Sequence, residues 1–337
     1  MGTTTAGRTA LAALGALALT LPLAACGQES PDTSAAPAAY ATGSPGTHGS
    51  PGNGSHHASG TDGADGADGA DGAERTGGRS AAGFKKLEST YGARLGVYAL
   101  DTGTGRKVSY HADERFAYAS THKAFTAAAV LHKYSLNGLG KQITVGKDVP
   151  VGHSPVTSTH VGEKMTLREL CAAAVRQSDN GADNLLVRDL GGPKKLDAYL
   201  AGLGDDVTQM NRYETALTEA APGDPRDTTT PRAFTEDLRT VALADALDRP
   251  ERSLLGDWLR DNPFGTTLIK AGMPDRWRVG DKSGAARYGT RNDIAVVRPP
   301  GRAPLVVTVM SKRAKEDADY DDALVAEAAS VVADQLS

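Results

Sequence analysis

Arg278-Val-Gly-Asp-Lys-Ser283, Asp293-Ile-Ala-Val-Val297 and Pro304-Leu-Val-Val-Thr-Val-Met310 decide the fold. Each is a short run with β-branched residues, and turn formers such as Arg298-Pro-Pro-Gly-Arg302 fill the gaps, so three late strands are predicted. Further back, Leu95-Gly-Val-Tyr-Ala-Leu100, the turn Asp101-Thr-Gly-Thr-Gly105 and Lys107-Val-Ser-Tyr110 read as a β-hairpin. Between these strand groups, apolar residues recur at helical spacing over Lys123 to Tyr134, Leu167 to Arg176, Ala182 to Leu190 and Pro193 to Leu203. Two more helical patterns, 82–91 and Asp319 to Gln335, flank the whole. The order implies an α+β fold: a five-stranded antiparallel sheet with terminal helices, and a mostly helical subdomain at about 119–262. The cleft between the two is a natural ligand site.

The N-terminal quarter reads differently. Residues 1–26 hold Arg8, the apolar run Ala10-Leu-Ala-Ala-Leu-Gly-Ala-Leu-Ala-Leu19, and Leu23-Ala-Ala-Cys26. That run is short for a bilayer span and fits the core of a secretion signal. The small pair before Cys26 resembles a bacterial lipobox, which predicts lipidation at Cys26; an ordinary signal peptide cut nearby is the other reading. Residues 27–82 are dense in Gly, Ala, Ser, Pro and Asp, too poor in large apolar side chains to offset chain entropy, and are expected as a disordered tether. The tether carries −5 of the chain's −4 net charge, so the domain at 83–337 is balanced, with no basic stripe for nucleic acid. With Cys26 in the anchor, Cys171 is alone in the folded part and is expected as buried packing, not as half of a disulfide.

Three blocks carry chemistry: Ser120-Thr-His-Lys123, Ser178-Asp-Asn180 and Lys282-Ser-Gly284. Ser120 and Lys123 stand three apart at a predicted helix start, so a hydroxyl nucleophile and a proton carrier share one face. A helix start also leaves the Ser120 N–H free to meet a developing oxyanion. Ser178, Asp179 and Asn180 are equally good helix caps, and Gly284 sits on a strand where its missing side chain lets backbone approach a ligand. Arg212-Tyr-Glu214 precedes the loop Pro222-Gly-Asp-Pro-Arg-Asp227; an Arg212–Asp227 ion pair is expected to close that loop, and Glu214 is either equally structural or the carboxylate base that an acyl-serine enzyme needs to activate water.

In combination, order and spacing, these blocks resemble the class A serine β-lactamases from about residue 83 to the C-terminus. The resemblance implies the β-lactamase/D,D-peptidase fold and hydrolysis of a β-lactam through an acyl-serine. It makes Ser120 the nucleophile and Lys123 its proton partner. Ser178 becomes the donor to the lactam nitrogen, and Glu214 the activator of the hydrolytic water. Asn180 would hold the substrate's side-chain amide; Lys282, Ser283 and Arg291 its carboxylate. Across Gly284, the N–H groups of Ser120 and Ala285 would form the oxyanion hole. No cofactor or metal is implied, and a monomer is the default. The chain departs from the family pattern at Thr218, where Asn is usual, at His153, where an aromatic gate is common, and at Ala127, opposite Cys171, where a cysteine is usual. A penicillin-binding D,D-peptidase and a non-hydrolytic penicillin trap or sensor are the alternatives. The lipidated N-terminus would place the protein on the outer face of a bacterial cell membrane, with proteolytic shedding within residues 27–82 left open.

Overall fold

A computed structural model describes Gly2 and residues 68–337 of the chain, with side chains from Ser80 onward. The expected signal segment, Cys26 and most of the expected tether lie outside the described residues. The first helix, α1 (Asp68–Tyr91), begins inside the segment 27–82, so residues 68–82 are helical rather than disordered. The physical reason lies in propagation: once 80–91 docks, adding each further residue fixes one backbone unit for one hydrogen bond, which carries the helix through Gly69, Gly72, Gly77 and Gly78 despite their low propensity.

Strands β1 (Arg94–Asp101) and β2 (Lys107–Tyr110) form the hairpin; β3 (Phe116–Ala117) leads into a 3₁₀ turn at Ala119–His122. Then come α2 (Lys123–Gly138), β4 (Gln142–Thr144), β5 (Lys164–Thr166), α3 (Leu167–Arg176), α4 (Asn180–Leu190) and α5 (Pro193–Leu203). The chain continues through β6 (Thr228–Thr229), α6 (Pro231–Ala242), α7 (Arg249–Arg260) and α8 (Ile269–Gly272). It closes with β7 (Arg278–Ala286), β8 (Thr290–Arg298), β9 (Leu305–Lys312) and α9 (Asp322–Leu336). The main sheet runs β2-β1-β9-β8-β7, antiparallel throughout, and β3–β6 and β4–β5 are small separate pairs. Ser120 therefore lies in a 3₁₀ turn ahead of α2, not in the first turn of an α-helix.

Both faces of the sheet are buried, which is why its strands read as apolar runs. Alternate residues serve different cores. Ile294 and Val296 of β8, with Val306 and Met310 of β9, join the core of the helical subdomain. Ala295, Val297, Leu305, Val307 and Val309 join the core made with α1, α8 and α9. Cys171 and Ala127 are both buried in the helical-subdomain core, and burial pushes the thiol's pKa up.

Helix ends in the subdomain are set locally. The Thr166 side chain accepts from the Glu169 N–H while Glu169 accepts from the Thr166 N–H, a reciprocal cap on α3. Asp179 caps α4 by accepting from Ala182 N at 2.8 Å, and its other oxygen takes Val156 N at 2.8 Å and Thr157 N at 2.9 Å. The middle residue of the Ser178-Asp-Asn180 block is thus a structural tie between two loops that meet at the cleft.

Where α8 meets α9, the chains touch at Gly272: a Cβ there would overlap the Ala326 carbonyl. Overfilling such a contact costs about 1–3 kcal/mol. Gly272→Ala should lower unfolding stability by that amount in urea titration, and an unchanged midpoint would show that the two helices separate freely.

Candidate active site

Ser120 is held from three sides. Asn292 of β8 donates its amide to Ala117 O at 2.7 Å and Tyr118 O at 3.2 Å, pinning the turn to the sheet. Ala119, buried at φ 50, takes a left-handed conformation that a non-glycine residue holds only when its surroundings enforce it. Gly284 of the edge strand β7 closes the third side: a Cβ there would lie 2.9 Å from Ser120 N and 3.0 Å from Thr121 N. The glycine makes room for the turn that carries the hydroxyl, where the sequence had suggested room for a ligand.

Lys123 is fully buried. Its ammonium donates to Ser120 Oγ at 3.0 Å, to Ser178 O at 2.9 Å and to Asn180 Oδ1 at 2.5 Å, and lies 3.0 Å from Glu214 Oε1. The same carboxylate oxygen accepts from Ser120 Oγ at 3.2 Å, so nucleophile, ammonium and base share one atom. Glu214 Oε2 is buried and has no protein partner.

The loop presenting Glu214 is closed at its base by Asp227, which is fully buried. Its carboxylate pairs with Arg212 Nε at 2.5 Å and accepts from Asn211 N, Arg212 N and Tyr118 OH at 2.8, 3.0 and 2.9 Å. Asn184 clamps Glu214 itself, its Oδ1 accepting from Glu214 N at 3.0 Å and its Nδ2 donating to Glu214 O at 2.9 Å. Asn184 was not singled out from the sequence. Its signal was a polar residue one helical turn after Asn180 on the same face of α4, which becomes meaningful only once a buried partner is known.

On the opposite wall, Ser178 is held at φ 53, and its hydroxyl accepts from Lys282 Nζ at 3.1 Å. Lys282 also donates to Ser283 O at 2.8 Å. Burial, and secondarily the charge of Lys123, push its pKa down to about 7 against the opposing pull of Asp281, Asp293 and Glu214. Ser283, Gly284 and Ala285 follow along β7, and Arg291 pairs with Ala285 across β8. The Arg291 guanidinium bonds Asp322 Oδ1 at 2.6 Å and lies 4.8 Å from the Tyr320 ring centroid, so one edge is tied back.

These walls enclose a cleft of about 450 Å³ that Ser120, Ser178, Glu214 and Arg291 all reach. Thr218 lines it too, its hydroxyl donating to Thr215 O at 2.6 Å. At one rim His153 meets Phe264 edge to face at 6.0 Å, with His153 Nε2 against Gln177 O at 3.0 Å. A larger hollow of about 590 Å³ lies elsewhere, beside Gly92, Pro222 and Arg313, and contains none of the chemical blocks. Every sequence-selected site residue within the described region therefore falls in or against one cleft.

A family model described as the beta-lactamase enzyme family matches residues 80–336. The beta-lactamase of Amycolatopsis lactamdurans is 53% identical over 253 residues, covering 75% of this chain and 84% of that protein. That of Bacillus subtilis (strain 168) is 51% identical over 253 residues, covering 75% and 83%. Among solved structures, the class A beta-lactamase from Clostridium kluyveri DSM 555 superposes with a TM-score of 0.76 at 44% identity, covering 77% of this chain and 98% of that one. The beta-lactamase from Streptomyces albus G gives 0.75 at 44%, covering 77% and 100%.

Lys282 is cationic below its pKa of about 7 and neutral above it. An anionic ligand held through it should bind up to about tenfold more weakly at roughly pH 8 than at pH 6. Calorimetric titration of a carboxylate inhibitor across that range checks this; a flat profile would mean that Lys282 keeps its proton.

Proposed function

The chain belongs to the class A serine β-lactamases and hydrolyses the β-lactam amide bond, and we propose the following division of labour among its residues and a lipid-anchored site of action. The observation that carries the division is the Glu214 oxygen shared by Ser120 Oγ and Lys123 Nζ, at 3.2 and 3.0 Å.

As Ser120 Oγ attacks the lactam carbonyl, its proton passes to Glu214, directly or through Lys123. The oxyanion that forms is met by the N–H groups of Ser120 and Ala285, which supply charge stabilisation without moving. Ser178 protonates the departing lactam nitrogen and is recharged by Lys282, 3.1 Å away. Glu214 hands the proton it took from Ser120 back through Lys123 and Ser178 to Lys282, so this half ends with an opened ring, an ester on Ser120, a recharged Lys282 and an ionised Glu214. Glu214 then removes a proton from water, the water oxygen attacks the ester, and Ser120 takes its proton back. Lys282, Ser283 and Arg291 hold the substrate carboxylate by charge and hydrogen bonding. Asn180 has its Oδ1 engaged by Lys123, which leaves its Nδ2 to meet the substrate's side-chain amide oxygen. The loop glutamate, clamped by Asn184 beside the nucleophile, favours turnover over permanent acylation.

The proposed anchor rests on Leu23-Ala-Ala-Cys26, the apolar run before it and the Gly-, Ala- and Asp-rich residues after it. Two acyl chains on a lipidated Cys26 would hold the enzyme at the outer face of the cell membrane, where β-lactams arrive, with the following residues as spacer.

Glu214→Gln should slow deacylation by roughly 10²–10⁴-fold and accumulate an acyl adduct on Ser120 visible by intact mass; turnover at the parent rate would remove Glu214 from its role. Cys26→Ser should move activity from the membrane fraction to the medium, whereas an unchanged distribution would remove the anchor.

A further inference from the structure

The third residue of the Ser120-Thr-His-Lys123 block has no part in the mechanism above, yet it is buried directly beneath it. His122 is 2% exposed, and both ring nitrogens face acceptors: Nδ1 lies 2.7 Å from Ala119 O and Nε2 lies 2.9 Å from Asp183 Oδ2. A neutral imidazole carries one N–H, so two acceptors at these distances call for the doubly protonated ring. Ala119 is the residue before the nucleophile, and its carbonyl is thus gripped by a charge. Asp183 is 1% exposed, on the same turn of α4 as Asn180 and Asn184, the residues that hold Lys123 and Glu214.

The surroundings of the pair come from several segments. On its own turn are Ser120 and Lys123. Tyr118, just before the turn, meets the imidazole in a tilted arrangement at 5.3 Å between ring centroids and donates its hydroxyl to Asp227. Cys171 on α3 and Thr126 on α2 face Asp183, and Glu214 completes the charged neighbours. Burial alone would push the His122 pKa down. The charge and hydrogen bond of Asp183, with the charge of Glu214, outweigh burial and leave it raised. Burial works against ionised Asp183 as well, and His122 with Lys123 overcomes it.

We propose that His122 is a positioning residue of this enzyme, a charged group that cancels Asp183 beneath the Ser120–Lys123–Glu214 cluster and so keeps the base that receives the serine proton in its ionised, accepting form. Lys123 then answers to Glu214 alone, and the turn bearing Ser120 is drawn onto the imidazolium through Ala119 O. With His122 removed, Asp183 remains as a buried, uncompensated negative charge that favours the protonated form of the nearby carboxylate base, Glu214. With both removed, the balance returns.

The inference rests on the assignment of Ser120, Lys123 and Glu214 above, and its tests separate from it. Nitrogen-15 NMR of histidine-labelled wild-type enzyme, which needs no turnover, should show His122 doubly protonated throughout roughly pH 6–8. A neutral tautomer at pH 7 overturns the proposal whatever the activity. His122→Phe should move the acid limb of kcat/KM upward by about one unit, with folding checked by near-ultraviolet dichroism, and His122→Phe/Asp183→Ala should bring it back. A limb unmoved in the folded single variant, or displaced equally in the double, overturns the proposal; if the single variant does not fold, the NMR result on the parent decides. An inactive parent would instead remove the catalytic assignment and leave the NMR test standing.

Discussion

A fully buried ammonium at Lys123 sets the terms for everything around it. Taking such a charge out of water costs several kcal/mol unless carboxylates and dipoles surround it closely. Glu214, Ser120 Oγ, Ser178 O and Asn180 Oδ1 do so, all within 3.0 Å. No one segment could provide those groups. The 3₁₀ turn, the residues before α4 and the loop 211–227 must all arrive at one point, and much of the rest of the fold serves to bring them there. Asp179 ties the loop at 156–157 to the start of α4, Asp227 closes the loop that carries Glu214, and Asn292 pins the turn to the sheet.

The same low-dielectric setting extends along β7. Asp281 and Asp293 sit on neighbouring strands behind Lys282, and burial drives both carboxyls upward, Asp281 to about 6. Asn262 donates to Asp281 Oδ2 at 2.6 Å, and the Ile269 N–H donates to Asp293 Oδ2 at 3.1 Å. Two carboxyls so placed resist simultaneous ionisation. Their combined negative charge still favours the charged form of Lys282, which keeps the substrate-facing ammonium at a pKa near neutrality instead of far below it. Active-site electrostatics thus reach into the layer between the sheet and α8, well beyond the residues that touch substrate.

Much of the architecture was legible because its causes are local. α3 and α5 begin and end where apolar periodicity puts them, and the late strands were extended at their ends, except that β9 begins one residue later, at Leu305. The small pairs β3–β6 and β4–β5 escaped notice because two- and three-residue strands carry no periodic signal. Helix α7 was not among the predicted helices; its Pro250 occupies the first turn, where its missing N–H is harmless. The helical reach of 68–82 depends on docking further along the chain, which composition does not report.

The amino-acid order by itself determined the chemical inventory of this enzyme: a hydroxyl, two lysines, a second hydroxyl and a loop carboxylate, in an order and spacing that resemble one family. Only the tertiary structure decided their distances and charge states. Ser120 and Glu214 are 94 positions apart in the chain and meet at 3.2 Å. His122 and Asp183, 61 positions apart, form an ion pair that neither residue's neighbours foretell. Coulomb interactions and desolvation depend on separation in space and on access of water, and a linear chain specifies neither until it has folded.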